Sequence, residues 1–272
     1  MGRRPKTIDQ TQSAAGLFGG RMRALRLERG WSPDELGREL NCSAEHASKI
    51  ELGSRAPDEH AALTLDKIYG TGTFFQDVLP LVLKERLPES IRSLAGHEGS
   101  ATIIKIFEPT LITGLFQIEP YIRALVLADT APHLVDEIVE VRLQRQAALE
   151  REPPPRVLVI LDEAALRRPI SGPEVMKAQL TRLLEEMRKP NVILQVIPAR
   201  TGAHVGLTAA FTLFSFDEGP DAAYVVGPGG TGRIVNDPAV VKRLEESYDL
   251  IRSVVLPAKD TERLISEIRD AL

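Results

Sequence analysis

The chain has 272 residues, 43% apolar and 26% charged, with a formal net charge of −4 at pH 7. That length suits one large or two ordinary domains, and so small a charge gives no global sign of a polyanionic partner. The only cysteine, Cys42, excludes a disulfide framework and a cysteine-built zinc site and fits a reducing cytoplasm.

No apolar run reaches the ~20 residues that cross a bilayer, and no apolar stretch follows the first arginines to make a secretory signal. Charge is uneven locally. Residues 1–85 hold 12 Lys+Arg against 12 Asp+Glu. Within the first 30, seven bases (Arg3, Arg4, Lys6, Arg21, Arg23, Arg26, Arg29) face two acids, Asp9 and Glu28. A basic start is a modest electrostatic hint of phosphate contact; a loose tail and a solvated helix face would look the same.

Residues 1–14 read as a disordered polar tail. Five short helices are expected over 15–83. The first spans about 17–28, burying Phe18, Met22, Leu25 and Leu27, and Gly30 stops it. Ser32-Pro33-Asp34-Glu35 opens the second with a capping box; Leu36 and Leu40, four apart, face inward. Asn41-Cys42 is a short turn. Ser43 caps the third helix, over 44–52, with Ala47 and Ile50 on one face and Gly53 at its end. Pro57 opens a fourth through Leu63, Ile68 and Tyr69, broken at Gly70 and Gly72. The fifth covers about 74–83. Two helices joined by so tight a turn make a helix-turn-helix. Gly37 stands where they should cross closely.

Residues 84–99 read as a connector with helical parts, punctuated by Pro88 and Gly96. Residues 100–272 read as a mixed α/β domain. Helices are expected over 118–128 and over 134–151, the latter with a stripe of Leu134, Ile138, Val141 and Leu149, and Arg142, Arg145 and Glu150 among its polar positions. Pro153-Pro154-Pro155 ends it. Strands are expected over 156–161, 191–196, 208–216 and 222–226, with a helix over 172–188 and closing helices over 237–254 and 259–272. The fold class is therefore α+β: an all-α five-helix domain, then a mixed α/β domain.

The stretch RMRALRLERGWSPDELGRELNCSAEHASKIELGSRAP, residues 21–57, resembles helix-turn-helix regulators of the lambda-repressor-like, xenobiotic-response-element type. The ending Ser48-Lys49-Ile50-Glu51, Gly53, Arg55, Pro57 is especially similar. Further on, Phe107-Glu108-Pro109, Gly114-Leu115-Phe116-Gln117, Tyr121, Arg142 to Gln146 (Arg-Leu-Gln-Arg-Gln), Leu161 to Arg168 (Leu-Asp-Glu-Ala-Ala-Leu-Arg-Arg), Gln179-Leu180, Asn191-Val192 and Gly202-Ala203-His204 resemble an uncharacterised domain common in actinobacterial regulators. The resemblance implies a sequence-specific, DNA-binding transcriptional regulator in the cytoplasm, on the nucleoid when bound to DNA. It also implies a small partner protein encoded nearby.

In that family the third helix enters the major groove with its N-terminal end first. Ala44, Glu45, Ser48 and Lys49 are then the base-facing positions. Lys49 can donate to a guanine edge or a phosphate, Glu45 can accept from cytosine, and Ala44 can touch a thymine methyl. Ser32, Ser43, Ser54, Arg55 and Arg21 are the backbone-phosphate candidates. Glu45 and Lys49 also have the i,i+4 spacing of a helix ion pair, worth ~0.3 kcal/mol. Glu51 reads as structural, paired with an arginine at the core edge, and Trp31 as a packing residue beside Leu36. The chain departs from the family in having Pro33 where glutamine is frequent, and its reading helix offers an acid and one base. Both point to modest affinity per domain, hence to a homodimer on a palindromic double-stranded operator with half-sites ~34 Å apart.

Enzymatic function is not expected. Asp162, Glu163, Arg167, Arg168 and His204 are the polar candidates, but no nucleophile elbow, phosphate loop or metal-ligand cluster accompanies them. The glycine-rich 227–232 reads as a hairpin turn or mobile loop. No cofactor and no metal are expected. The C-terminal region should receive a signal, from a partner protein or a small ligand. The other reading is an antitoxin-like interaction protein whose DNA binding serves autoregulation. Cys42 reads as a small apolar turn residue.

Overall fold

The hydroxyl of Ser13 accepts a hydrogen bond from the Gly16 N–H at 2.9 Å, which starts the first helix, α1 (Ala14–Glu28), three residues earlier than its apolar spacing suggests. The computed structural model describes residues 13–86, 89–128, 134–227 and 231–272; the expected tail up to residue 12 lies outside them. The chain divides into two compact units, Met1–Pro88 and Glu89–Leu272, each described by itself.

In the first unit, α1 is followed by α2 (Pro33–Glu39), α3 (Ala44–Glu51), α4 (Glu59–Tyr69) and α5 (Phe74–Arg86). Phe18, Met22 and Leu25 are buried as expected. Leu27 is not: it is 58% exposed, because two residues beyond Leu25 the helix has turned about 200° away from the core. The capping box at α2 forms in both directions: Glu35 N–H donates to Ser32 Oγ at 3.2 Å, and Ser32 N–H donates to Glu35 Oε2 at 2.7 Å. Asn41 supplies the left-handed turn residue (φ 53°) between α2 and α3. α4 begins after Asp58, whose Oδ1 accepts from Ala61 N–H at 2.7 Å; Pro57, expected to open the helix, sits just before this cap. Asp66 on α4 accepts from Thr71 Oγ1 and from the Phe75 and Gln76 N–H groups, tying the start of α5 to α4. Burial pushes its carboxyl up, yet these hydrogen bonds outweigh burial and hold it below the usual carboxylate range. Phe18 and Phe75 meet edge-on, centroids 4.9 Å apart, in a core that also holds Met22, Leu36 and Leu65.

The second unit is built on a six-stranded sheet of order β3-β2-β1-β4-β5-β6, where β1 is Ile103–Glu108, β2 Arg156–Asp162, β3 Val192–Ile197, β4 Phe211–Ser215, β5 Ala222–Val225 and β6 Arg233–Val235. β1, β2 and β3 run parallel; β4, β5 and β6 join antiparallel. Around it lie α6 (Glu89–Ser100), α7 (Glu119–Leu127), α8 (Val135–Gln144), α9 (Glu163–Arg167), α10 (Pro173–Glu186), α11 (Pro238–Arg252) and α12 (Ala258–Asp270). Ile104, Ile106, Val157, Val159 and Leu161 pack on one face with α10 and α12, while Phe107, Ile160 and Leu213 pack on the other with Tyr248 and Ile251 of α11.

Several expectations need correction. β1 lies where no strand is expected. It is a central strand buried on both faces, so its apolar residues do not alternate with polar ones. β6 has three residues, too short to leave a pattern. The helix expected over 134–151 stops at Gln144 and continues as a 3₁₀ turn, Arg145–Leu149. Of its expected stripe, Val141 and Leu149 are buried, Ile138 is half-buried and Leu134 is 37% exposed; Val135 and Val139 are buried as well and pack on Ile122 and Val126 of α7. The strand expected from Thr208 begins at Phe211, after a 3₁₀ turn, Val205–Thr208. The stretch read as a connector contains the end of α5 and α6, whose Leu94 is buried in the second unit's core. The glycine-rich segment joins the antiparallel β5 and β6; its residues 228–230 lie outside the described ones.

Candidate nucleic-acid interface

Ser43 begins α3 by accepting from the His46 N–H at 3.1 Å. With about 100° between successive residues, Ala47, Ile50 and Glu51 turn inward, and all three are buried. Glu45 and Lys49 point out and are exposed; Ala44 and Ser48 lie half-buried along one flank, His46 half-buried along the other.

The inward side is fixed by two devices. Glu51 forms a two-pronged ion pair with Arg26 of α1, Nε to Oε1 at 2.5 Å and Nη2 to Oε2 at 3.0 Å, while Arg26 Nη1 donates to the Trp31 carbonyl at 2.7 Å. The hydrogen bond to Glu51 raises the Arg26 pKa against the cost of burial. This confirms Glu51 as structural and identifies its arginine. The second device is close backbone approach. A Cβ on Gly37 would stand 2.7 Å from the Cys42 carbonyl oxygen, so α2 and the turn before α3 can meet there only without a side chain. Gly19 serves likewise between α1 and the end of α3, where a Cβ would strike the Ile50 and Glu51 carbonyls; the sequence reading missed it, since a glycine inside a helix looks the same whether or not a neighbour touches it. Trp31 packs at the core edge beside Tyr69, centroids 5.9 Å apart.

Most polar residues expected at this surface are engaged within the protein. Lys49 Nζ lies 2.8 Å from Glu45 Oε1, and that hydrogen bond holds the Glu45 carboxyl below its ordinary range. The Ser54 hydroxyl donates to the Lys49 carbonyl at 3.1 Å. Ser32 and Ser43 spend their hydroxyls on caps. Arg55 follows α3 and is exposed. Ser43, Ala44, Glu45, Ser48, Lys49, Ser54 and Arg55 thus belong to one helix and its exit turn. Arg21 is exposed on α1 and Ser32 stands at the start of α2; among the described residues no hydrogen bond joins either to the α3 group. The residue that sequence reasoning passed over is His46. Its ring lines a cleft with Cys42, Asp58 and His60. Burial pushes the Cys42 thiol up, away from reactive thiolate and in line with an apolar turn role.

In the second unit, Asp162 ends β2, caps α9 through the Ala164 N–H at 2.8 Å and meets His204 Nε2 at 3.1 Å. His204 Nδ1 accepts from the Gly206 N–H at 3.2 Å, so the proton sits on Nε2 and is donated to Asp162. Both ring nitrogens are committed. Glu163 receives Arg167 Nε at 2.6 Å and the Ala199 N–H at 2.7 Å; burial pushes its carboxyl up, but these donors outweigh it and hold it low. Arg168 is exposed. The arrangement fastens the segment after β3 to the end of β2. Among the described residues no group of three His, Cys, Asp or Glu is placed to hold a metal ion.

The remaining motif residues converge on the backbone between β1 and α7. Gln117 Nε2 donates to the Ile112 carbonyl at 2.6 Å, Gln146 Nε2 to the Gln117 carbonyl at 2.7 Å, and Gln179 Nε2 to the Phe116 carbonyl at 2.8 Å. Arg145, expected on a polar face, is instead largely buried, pairing with Glu98 at 2.8 and 2.7 Å. At the end of β1, burial pushes the Glu108 carboxyl up to about 7, against the pull of the Arg145 charge.

Comparison with known families finds a helix-turn-helix domain over residues 17–73 and a domain of unknown function, DUF5753, over residues 91–267. No curated protein matches the chain. Among the described residues no helix is long and apolar enough to cross a membrane. The match over 91–267 covers more than half of the sequence, and the chain belongs to the DUF5753 family, with a helix-turn-helix DNA-binding domain ahead of that domain.

Proposed function

We propose that this protein is a sequence-specific transcriptional regulator that reads an operator through α3. The observation that carries the reading is the exposed Glu45–Lys49 face of a helix whose other side is locked by Glu51, within a matched helix-turn-helix domain. Lys49 and Glu45 read base edges once DNA breaks their mutual pair, and Ala44 and Ser48 line the same face. Ser43, Ser54, Arg55, Arg21 and Ser32 face the phosphate backbone. The Ser43 hydroxyl caps α3, which leaves the N-terminal end of that helix for a phosphate. With one base on the reading face, a homodimer on a palindromic operator supplies the affinity. The second unit receives the controlling signal, from a small partner protein or a ligand. It acts by binding: the one His–Asp pair among the proposed catalytic candidates has both imidazole nitrogens occupied. An antitoxin-like interaction protein, with DNA binding serving autoregulation, is the alternative.

The test is fluorescence anisotropy of the full chain with the duplex upstream of its own gene, beside a scrambled duplex, at two salt concentrations. Native duplex should win, and Lys49→Ala should lose about 1–3 kcal/mol of discrimination. Equal, purely salt-governed binding of both duplexes would reject sequence reading by α3 and favour the interaction-protein alternative.

A further inference from the structure

Once the polar groups of α3 are sorted by what they already bond, few are left over. Glu45 and Lys49 hold each other, and Ser43 and Ser54 bond backbone. The His46 ring has no hydrogen-bond partner among the described residues, nor has the guanidinium of Arg55. The Arg55 charge acts on the His46 ring. His46 is the third residue of α3, in the turn that leads into a groove, and lies on the flank away from Ala44 and Ser48. A helix ~10–12 Å across nearly fills a major groove ~12 Å wide, so its flanks face the phosphate walls while its outward face meets the bases.

We propose that His46 is a phosphate-contacting residue of the DNA interface, standing with Arg55 on one flank of α3 and adding an ion contact when its ring carries a proton. The inference rests on the DNA-reading role proposed above. The groups around the ring are Lys49 on its own helix, Arg55 after it, Asp58 and His60 at the start of α4, and Cys42 in the preceding turn. Burial, followed by the Arg55 charge, holds the free imidazole below its ordinary range; Asp58 opposes this and Lys49 adds to it. A phosphate on this flank reverses that balance, because it is an anion placed against two cationic groups. Binding then takes up a proton, and affinity rises as pH falls.

The number of ion contacts is read from the salt dependence of binding, whose log–log slope steepens by about 0.9 for each added phosphate contact. Anisotropy titrations of the full chain on the same duplex, at pH 5.5 and pH 7.5 over a series of salt concentrations, should show a slope steeper at pH 5.5 by about 0.9 per bound protomer. His46→Gln should have one slope at both pH values. His46→Arg should keep the steep slope at both, which a ring needed only for packing would not produce. His60→Gln should behave as wild type. Specific binding with an unchanged wild-type slope, or steepening that survives in His46→Gln, overturns this inference alone. Loss of preference for the native duplex at both pH values overturns the parent reading and this one with it.

Discussion

Each unit buries an arginine–glutamate pair, and the two pairs do different things. Arg26–Glu51 joins the first helix to the end of α3, and its effect appears on the opposite side, where Glu45, Lys49 and the flank of His46 are presented on a rigid helix. Arg145–Glu98 joins a 3₁₀ turn to α6 beside a loop already fastened by Gln117, Gln146 and Gln179. There the polar groups are turned inward and spent on backbone. Buried charge in the first unit sets out an accessible surface; in the second it shapes an interior. Mutation of the first should therefore be read in DNA binding and stability together, and of the second in stability and its pH dependence.

The largest effect should come from removing one partner of the first pair. Glu51→Ala leaves the Arg26 charge buried without its counterion, a loss of about 3–5 kcal/mol. Trp31 is the only tryptophan in the chain and lies in this unit, so its fluorescence during urea unfolding isolates the change. A shift of less than 1 kcal/mol would mean that caps and packing, not the ion pair, hold α3.

The next effect belongs to Glu108. Its folded pKa, about 7, lies above the ~4.3 of an exposed glutamate. The folded state therefore holds the proton more tightly than the unfolded one. The stabilisation this provides is complete below the unfolded pKa and disappears as pH rises through about 7. Glu108→Gln should remove that dependence and, at pH 8, stabilise the second unit by on the order of 2 kcal/mol after allowance for solvent screening of a partly buried group. Hydrogen exchange of the β1 amides at pH 5 and pH 8 reads this directly; equal pH dependence in wild type and Glu108→Gln would contradict it. Smallest is the cap: Ser43→Ala should cost about 1 kcal/mol by stranding the His46 N–H, seen as a lower urea midpoint in the Trp31 signal.

The first unit was the more legible because its signals are local. Ser32 with Glu35, Ser43 before α3, Gly30, Gly53 and Gly70 each act within a few residues, and each is found at the expected helix end. Glu51 could be read as structural from its position beside Ile50. His46 was overlooked because a flank residue is neither in the apolar stripe nor opposite it. In the second unit, β2 and β3 were visible as β-branched runs. β1 was not, because a strand between two neighbours, covered on both faces, has no polar alternation to distinguish it from a buried helix. The polar motif residues were visible as a set, but their roles were not: Arg145 looked like a solvated helix residue, and only its placement against Glu98 shows otherwise.

The sequence by itself determined most helix ends of the first unit, the tight turn before α3, the residues of α3 and the α+β class, since caps, glycines and apolar periodicity act over one or two turns. Tertiary structure decided what those residues meet: Arg26 for Glu51, Gly19 for the carbonyls of α3, Asp162 for His204, Glu98 for Arg145. The partners in these contacts lie between 25 and 47 positions apart in the chain. At such separations the strength of a charge or hydrogen bond depends on distance and burial, and neither is set by any local pattern.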